Sequence, residues 1–111
     1  MSPEKPLLWL AGEVKTPPFS RDARVEAGVL LGRLQRGDVP EFPHARPMSI
    51  IGPRCLELRI KDQNLEWRVM IHLAPDAVVI LEVFAKKSAR TPHTVIAACR
   101  RRLAAFRNAV T

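Results

Sequence analysis

The chain has 111 residues, of which 47% are hydrophobic and 26% charged, and its formal net charge is +7. This length predicts one compact domain over residues 1–111 and excludes a second, and no apolar run approaches the roughly 20 residues of a membrane-spanning helix. The N-terminus lacks the cationic lead and long apolar core of a secretory signal, so we expect a soluble cytoplasmic protein that makes no contact with a membrane.

The first third of the chain predicts a strand and then a helix. The segment "PLLWLA" (Pro6–Ala11) is a short strand candidate. A helix follows, with Ser20 as its N-cap and Gly37 just past its end. Apolar residues recur within it at helical spacing, namely Ala23, Ala27, Leu30, Leu31 and Leu34. This stripe indicates a helix that lies on a sheet.

Three further strands are predicted in the middle of the chain, over Cys55–Ile60, Glu66–Leu73 and Ala77–Phe84. The proline-rich stretch 38–53 before them is predicted to be a loop. The first two of these strands alternate in polarity, which indicates one buried face, and the third is apolar on both faces, as expected inside a sheet.

The hairpin between the first two of these strands predicts a register. If "DQNL" is a four-residue loop, the facing pairs are Ile60 with Trp67, Leu58 with Val69 and Leu56 with Ile71. The same register sets Arg59 opposite Arg68 on the other face. Like charges directly opposite each other destabilise a sheet by about 0.2–1 kcal/mol, so this pairing requires a compensating partner.

Two explanations of the arginine pair fit the residues. Glu57 and Glu82 could share the two guanidinium groups, or the arginines could clamp a bound anion such as phosphate. The pattern alone leaves both open. Lys86 and Lys87, directly after the third strand, favour the anion, because four cations would then surround one patch.

A final helix is predicted with Thr91 as N-cap and Pro92 at its first position. Its apolar stripe consists of Ile96, Cys99, Leu103 and Phe106. Residues 84–111 hold 7 of the 18 Lys and Arg and none of the 11 Asp and Glu. Such a positive end attracts a polyanion, for example nucleic acid, or an acidic protein; the alternative is a basic helix that only aids solubility.

Other residues argue against several kinds of site. Cys55 and Cys99 are too far apart for a zinc motif and are expected to be reduced core thiols. His44, His72 and His93 lack a second ligand at metal-binding spacing, so no metal site is expected. There is no glycine-rich phosphate loop and no tyrosine, and most aromatic residues occupy core positions, which argues against the usual base-stacking surface of RNA-binding proteins.

Six segments form a pattern when they are taken together in chain order. They are "KPLLWL", "GVLLGRLQRG", "RPM", "GPRCLELRI", "WRV" and "DAVVILEVFAKKSARTP". In this order the chain resembles toxins of the RelE/ParE superfamily from type II toxin–antitoxin systems, and most of all their phage-derived HigB-like branch. The pattern extends from Lys5 to about Arg107, and "FAKKSARTP" is its most distinctive part.

The resemblance implies a small RelE-like α+β fold of order β-α-β-β-β-α, in which helices pack on one side of a mainly antiparallel sheet of about four strands. It implies an mRNA interferase, which is an endoribonuclease that cleaves mRNA on the ribosome and so inhibits translation and growth. No metal or other cofactor is implied. A cognate antitoxin, expected to be a helix-turn-helix protein, would neutralise the toxin in an oligomeric assembly.

The resemblance also implies roles for individual residues. In this chemistry the ribose 2′-OH attacks the adjacent phosphate, so the site must accept a proton, stabilise charge and assist the leaving oxygen. Arg68 matches the phosphate-stabilising arginine, Lys86 and Lys87 match the basic pair after the last strand, and Arg59 is a further candidate. His93 is the nearest substitute for the tyrosine or histidine of many relatives. RNA or phosphate contacts are expected from Lys61, Arg90, Arg100 and Arg101.

Two other functions fit the same sequence. A ParE-like protein would inhibit gyrase by binding and would catalyse no reaction. A plain binding module for nucleic acid or an acidic partner would show salt-dependent binding without toxicity.

Overall fold

The computed structural model describes residues 4–86 and 90–110. In these ranges the chain forms five strands and two helices. They are β1 (Leu7–Trp9), α1 (Arg21–Gln35), β2 (Ala45–Pro47), β3 (Cys55–Asp62), β4 (Leu65–Leu73), β5 (Val78–Lys86) and α2 (His93–Val110). The predicted α+β class is confirmed. Neither helix in the described ranges is long and apolar enough to cross a membrane.

The strands form one mixed sheet with the order β1-β5-β4-β3-β2. β1 runs parallel to β5, and the other neighbours are antiparallel. The sheet therefore has five strands rather than about four, because β2 lies in the stretch predicted to be a loop. A three-residue edge strand that ends on Pro47 shows no alternation from which it could be predicted.

The two helices pack on opposite faces of the sheet, so the expectation that both lie on one side is wrong. The predicted stripe of α1 is buried against the face that carries Leu58 and Val69. On α2, Cys99 and Leu103 are buried against the face that carries Met70. β5 supplies apolar side chains to both faces, which is why its first four residues, Val78, Val79, Ile80 and Leu81, are all apolar.

The predicted register of the β3–β4 hairpin is confirmed at every apolar pair and at the Arg59–Arg68 pair. The turn is tighter than expected, because Asp62 pairs with Leu65 and only Gln63 and Asn64 connect the strands. Gln63 has a φ of 53°, the left-handed conformation that such short turns require.

The helix starts agree with the sequence in one case and differ in the other. Ser20 caps α1 as predicted, since its hydroxyl oxygen accepts the amide of Ala23 at 3.1 Å. In α2, the amide of Val95 donates to the Pro92 carbonyl at 3.1 Å, so Pro92 occupies the capping position predicted for Thr91. The Thr91 hydroxyl instead contacts Lys86 and Glu57.

Asp62 joins the hairpin to the start of α1. Its Oδ2 accepts the amide of Ser20 and the indole N–H of Trp67, each at 2.8 Å, and Trp67 stacks on Phe19 with 4.1 Å between ring centroids. The backbone hydrogen bond from Ser20, followed by the one from Trp67, holds the pKa of Asp62 below its ordinary value. This carboxylate therefore ties three elements together.

We predict that Asp62→Ala lowers the melting temperature by several degrees at neutral pH, because the buried indole N–H of Trp67 and the partly buried amide of Ser20 lose their acceptor. A lowered folded-state pKa contributes stability above the unfolded value of about 3.9 and loses it as pH falls through the folded value. The difference between wild type and variant in a thermal melt should thus shrink below about pH 4. Asp76→Ala, at an exposed position in the β4–β5 turn, is the control, and equal effects of both variants at pH 7 would contradict the prediction.

Candidate functional site

Charged side chains gather on the face of the sheet that packs against α2, near the end of β5 from which the chain continues toward that helix. Strand alternation places Glu57 and Arg59 of β3, Glu66 and Arg68 of β4, and Lys86 of β5 on this face. The cross-strand pairs Arg59–Arg68 and Glu66–Lys86 keep them adjacent. We call these five residues the charge cluster.

Glu57 is the centre of the charge cluster, with only 1% of its surface exposed. Its Oε1 accepts the Nε–H of Arg59 at 3.1 Å and an Nη1–H of Arg68 at 2.5 Å. Glu82, the other predicted partner of the arginines, pairs with Arg102 at 3.1 Å instead. The like-charged pair is thus compensated from within the protein by one buried carboxylate.

Arg68 is held by two carboxylates. One terminal nitrogen contacts Glu57 and the other pairs with Glu66, and only 7% of the residue is exposed. Its Nε is buried without a hydrogen-bond partner among the described residues. Because its charge is neutralised and its surface covered, Arg68 anchors the site more than it offers an open contact to a ligand.

Lys86 differs from the arginines because no carboxylate pairs with it directly among the described residues. Its Nζ donates to the Thr91 hydroxyl at 3.2 Å, and this hydroxyl donates to Oε2 of Glu57 at 3.4 Å. Burial lowers the pKa of Lys86, the nearby Arg68 lowers it further, and Glu57 opposes the shift. Arg59 and Arg46 lower it in addition. Lys86 therefore loses its proton more readily than an ordinary exposed lysine, because its pKa is lowered.

A groove runs beside Lys86, between α2 and the loop that connects β2 to β3. Its first cavity, of about 610 Å³, is lined by Arg46, Pro47, Met48, Ser49, Ile50, Lys86, Arg90, Thr91, His93 and Ile96. A second cavity, of about 430 Å³, is lined by Ile50, His93, Ile96, Ala97, Arg100 and Arg101. The two share three residues and form one surface, which we call the α2 groove. None of the described lining residues is acidic, so the groove suits an anion.

The structure brings most of the predicted site residues together in two sets. Arg59, Arg68 and Lys86 belong to the charge cluster. The α2 groove is lined by Lys86 together with Arg90, His93, Arg100 and Arg101. Lys61 is exposed near the hairpin turn, faces Glu66 across the strands and lines neither cavity. Lys87 lies outside the described residues.

Three residues of the site were missed by the sequence analysis. Arg46 lines the groove because the pairing of β2 with β3 places it opposite Glu57. Since β2 was not predicted, the position of Arg46 could not be predicted either. Glu66 was treated only as the end of a hairpin, and the register of β4 with β5, which sets it opposite Lys86, was not predicted. Thr91 was interpreted as a helix cap, which is the commonest use of threonine before a helix.

The cysteines and the remaining histidines form no part of this site. Cys55 and Cys99 are free and buried, as expected, and burial raises their thiol pKa values to about 11 and about 12. His72 is buried beside Cys55, with 3.6 Å between Nδ1 and Sγ. In the described ranges, no three His, Cys, Asp or Glu side chains are placed to hold a metal ion.

Comparison with known proteins identifies one family. Residues 18–104 match the family model described as "Phage derived protein Gp49-like (DUF891)". This range contains all of α1, β2 to β5, the first two thirds of α2 and every residue of the charge cluster. No curated protein matches the chain.

Proposed function

Since the chain belongs to the Gp49-like family of phage-derived proteins, which are commonly toxins of toxin–antitoxin pairs, we propose that it is a toxin that cleaves mRNA on the ribosome. Residues 1–111 would form a single toxin domain that acts in the cytoplasm. In this proposal the protein is an endoribonuclease of the HigB-like type, and its reaction needs no metal and no other cofactor.

One observation carries this proposal. Lys86, only 6% exposed and with a lowered pKa, lines a groove whose described lining contains several cations and no acid. A buried amine of this kind can exchange a proton at a pH where an exposed lysine stays charged. An anion-binding groove beside it can hold the phosphate on which such an amine would act.

The chemistry divides among the residues of the site as follows. Neutral Lys86 accepts the proton of the ribose 2′-OH, which attacks the adjacent phosphate and expels the 5′-oxygen of the next nucleotide. Arg46 and Arg90, on the wall of the groove, stabilise the charge that develops on the phosphate oxygens. His93, which lines the same cavity, is the candidate acid for the leaving oxygen. Arg59 and Arg68 act mainly through Glu57, by fixing the cluster next to Lys86.

An antitoxin is the expected protein partner, because the family implies one. We propose a helix-turn-helix antitoxin that neutralises the toxin in an oligomeric complex. Acidic side chains on this partner would complement the cations of the α2 groove, and their binding there would exclude RNA.

The proposed function is tested with purified protein, ribosomes and a defined mRNA. We expect transcript cleavage only when ribosomes are present. The downstream product should begin with a 5′-hydroxyl, because attack by the 2′-OH keeps the phosphate on the upstream product and releases the 5′-oxygen. Expression in a bacterial host should arrest growth, and co-expression of the antitoxin should restore it.

Intact transcripts during growth arrest would contradict the proposal. DNA damage with normal translation would indicate a gyrase inhibitor. Salt-dependent RNA binding without growth arrest would indicate a binding module that catalyses no reaction.

A further inference from the structure

The α2 groove has an apolar middle between two cationic ends. Arg46 and Lys86 line the first cavity, and Arg100 and Arg101 line the second. The residues that both cavities share are Ile50, His93 and Ile96. A ligand that fills the groove would thus meet positive charge, then a short apolar section, then positive charge again.

The exposed position of Ile50 is fixed by its surroundings. This side chain is 57% exposed, yet it stands between the buried residues Met48 and Ile51 on the β2–β3 loop. The Ile51 amide donates to the Met48 carbonyl at 3.0 Å, which forms a turn, and the Met48 amide donates to the Cys55 carbonyl at 2.9 Å, which closes the loop. Gly52 packs so closely on α2 that an added Cβ would lie 2.6 Å from Cδ2 of Leu103. Both walls of the groove are therefore held at a set separation, with an apolar side chain facing solvent.

We propose that Ile50 and Ile96, together with the His93 imidazole, form a subsite for one base of single-stranded RNA, next to the nucleotide held at Lys86. Arg100 and Arg101 would hold the following phosphate. This inference rests on the proposed function, because it assigns the substrate of the same groove.

A nucleotide fits this arrangement because the flat faces of its base are apolar and the phosphate joined to it is anionic. Bases of single-stranded RNA stack on aromatic side chains, histidine among them, while the backbone is held by cations. The described residues of the groove contain no Phe, Trp or Tyr, so Ile50 and His93 supply the contact that an aromatic residue provides elsewhere. An acidic protein segment is the competing occupant, and it lacks the flat ring of a base.

The test uses methyl NMR of the full chain with a trinucleotide whose 2′-hydroxyls are methylated, so that it cannot be cleaved. At low salt we expect saturable upfield shifts of the Ile50 and Ile96 methyl groups, because the ring current of a stacked base shields them. Val29, equally exposed at 57% on α1, provides the methyl group that should not move. An acidic peptide of equal charge is titrated in parallel and should leave the Ile50 methyl groups without an upfield shift.

Variants add a quantitative readout. Ile50→Ala should weaken trinucleotide binding about fivefold, since it removes roughly 1 kcal/mol of apolar contact. Val29→Ala, the matched control, should bind as the wild type does. On ribosomes, Ile50→Ala should alter the distribution of bases beside the cut, and Val29→Ala should not.

The outcomes separate the subsite from the proposed function. Shifted Ile50 methyl groups without any mRNA cleavage would support the subsite and overturn the nuclease. Cleavage with an unchanged cut-site distribution in Ile50→Ala, and no methyl shifts, would overturn the subsite and leave the nuclease intact. Saturable shifts of the Ile50 methyl groups in either direction with the acidic peptide, and none with the trinucleotide, would assign the groove to a protein partner and also overturn the subsite.

Discussion

Glu57→Gln is expected to lower the free energy of unfolding by about 3 kcal/mol, near the lower limit for breaking a buried ion pair. The carboxylate is 1% exposed and contacts both Arg59 and Arg68, so the uncharged amide leaves two cations facing each other across the strands. The loss stays at the lower limit because Arg68 keeps its pair with Glu66. In a domain of this size the melting temperature should fall by about 10 °C, measured by calorimetry.

Glu82→Gln is the matched control for this prediction. Glu82 pairs with Arg102 on the same face of the sheet, but both side chains are partly exposed, at 23% and 32%. Exposed pairs contribute about 0–1 kcal/mol, so this variant should melt within a few degrees of the wild type. If the two variants melted alike, Glu57 would not be the compensating charge, and the arginine pair would have to be stabilised by other means.

The sequence predicted the parts of the fold in which a pattern repeats over several residues. The alternation of β3 and β4 set their register correctly, including the opposition of Arg59 and Arg68. The 3.6-residue stripe of α1 identified its buried residues. Both patterns arise because side chains alternate every two residues in a strand and return to the same face about every 3.6 residues in a helix, so they are visible in the order of residues.

The parts that were missed depend on contacts between distant elements. β2 is three residues long and contains Pro47, so nothing in it repeats, and the position of Arg46 beside Glu57 could not be foreseen. The face on which each helix packs depends on the side of the sheet that its connection crosses, and no sequence pattern records this. The two apolar faces of β5 were compatible with one helix on each face. The choice between Glu57 and a bound anion for the arginine pair needed side-chain positions.

Lys86 was predicted as half of a lysine pair, and its burial was not. It is the last residue of β5, where the alternation turns its side chain toward Thr91 and the charge cluster. The face on which a strand residue lies depends on its position in the strand, and the predicted strand ended at Phe84, two residues before Lys86.

Lys86→Met and Lys86→Arg are both expected to reduce mRNA cleavage at least 100-fold, the lower limit for removal of an acid–base group. Methionine keeps the length of the side chain without the amine. Arginine keeps the positive charge, but its guanidinium stays protonated and cannot accept the proton of the 2′-OH. The measurement is single-turnover cleavage of a defined mRNA on ribosomes, and Lys15→Met, at an exposed position outside the site, should leave the rate unchanged.

The pH dependence of the wild-type rate provides the second part of this test. A base must be neutral to act, so the rate should rise with pH and level off at the pKa of Lys86, below the value of about 10.4 for an ordinary lysine. A lowered folded-state pKa also means that protonated Lys86 opposes folding at neutral pH, so Lys86→Met should melt no lower than the wild type. Lost activity in a fully folded variant would then be a chemical effect. If Lys86→Arg kept most of the activity and the same pH profile, Lys86 would act only as a charge, and the base would have to be another group in the groove.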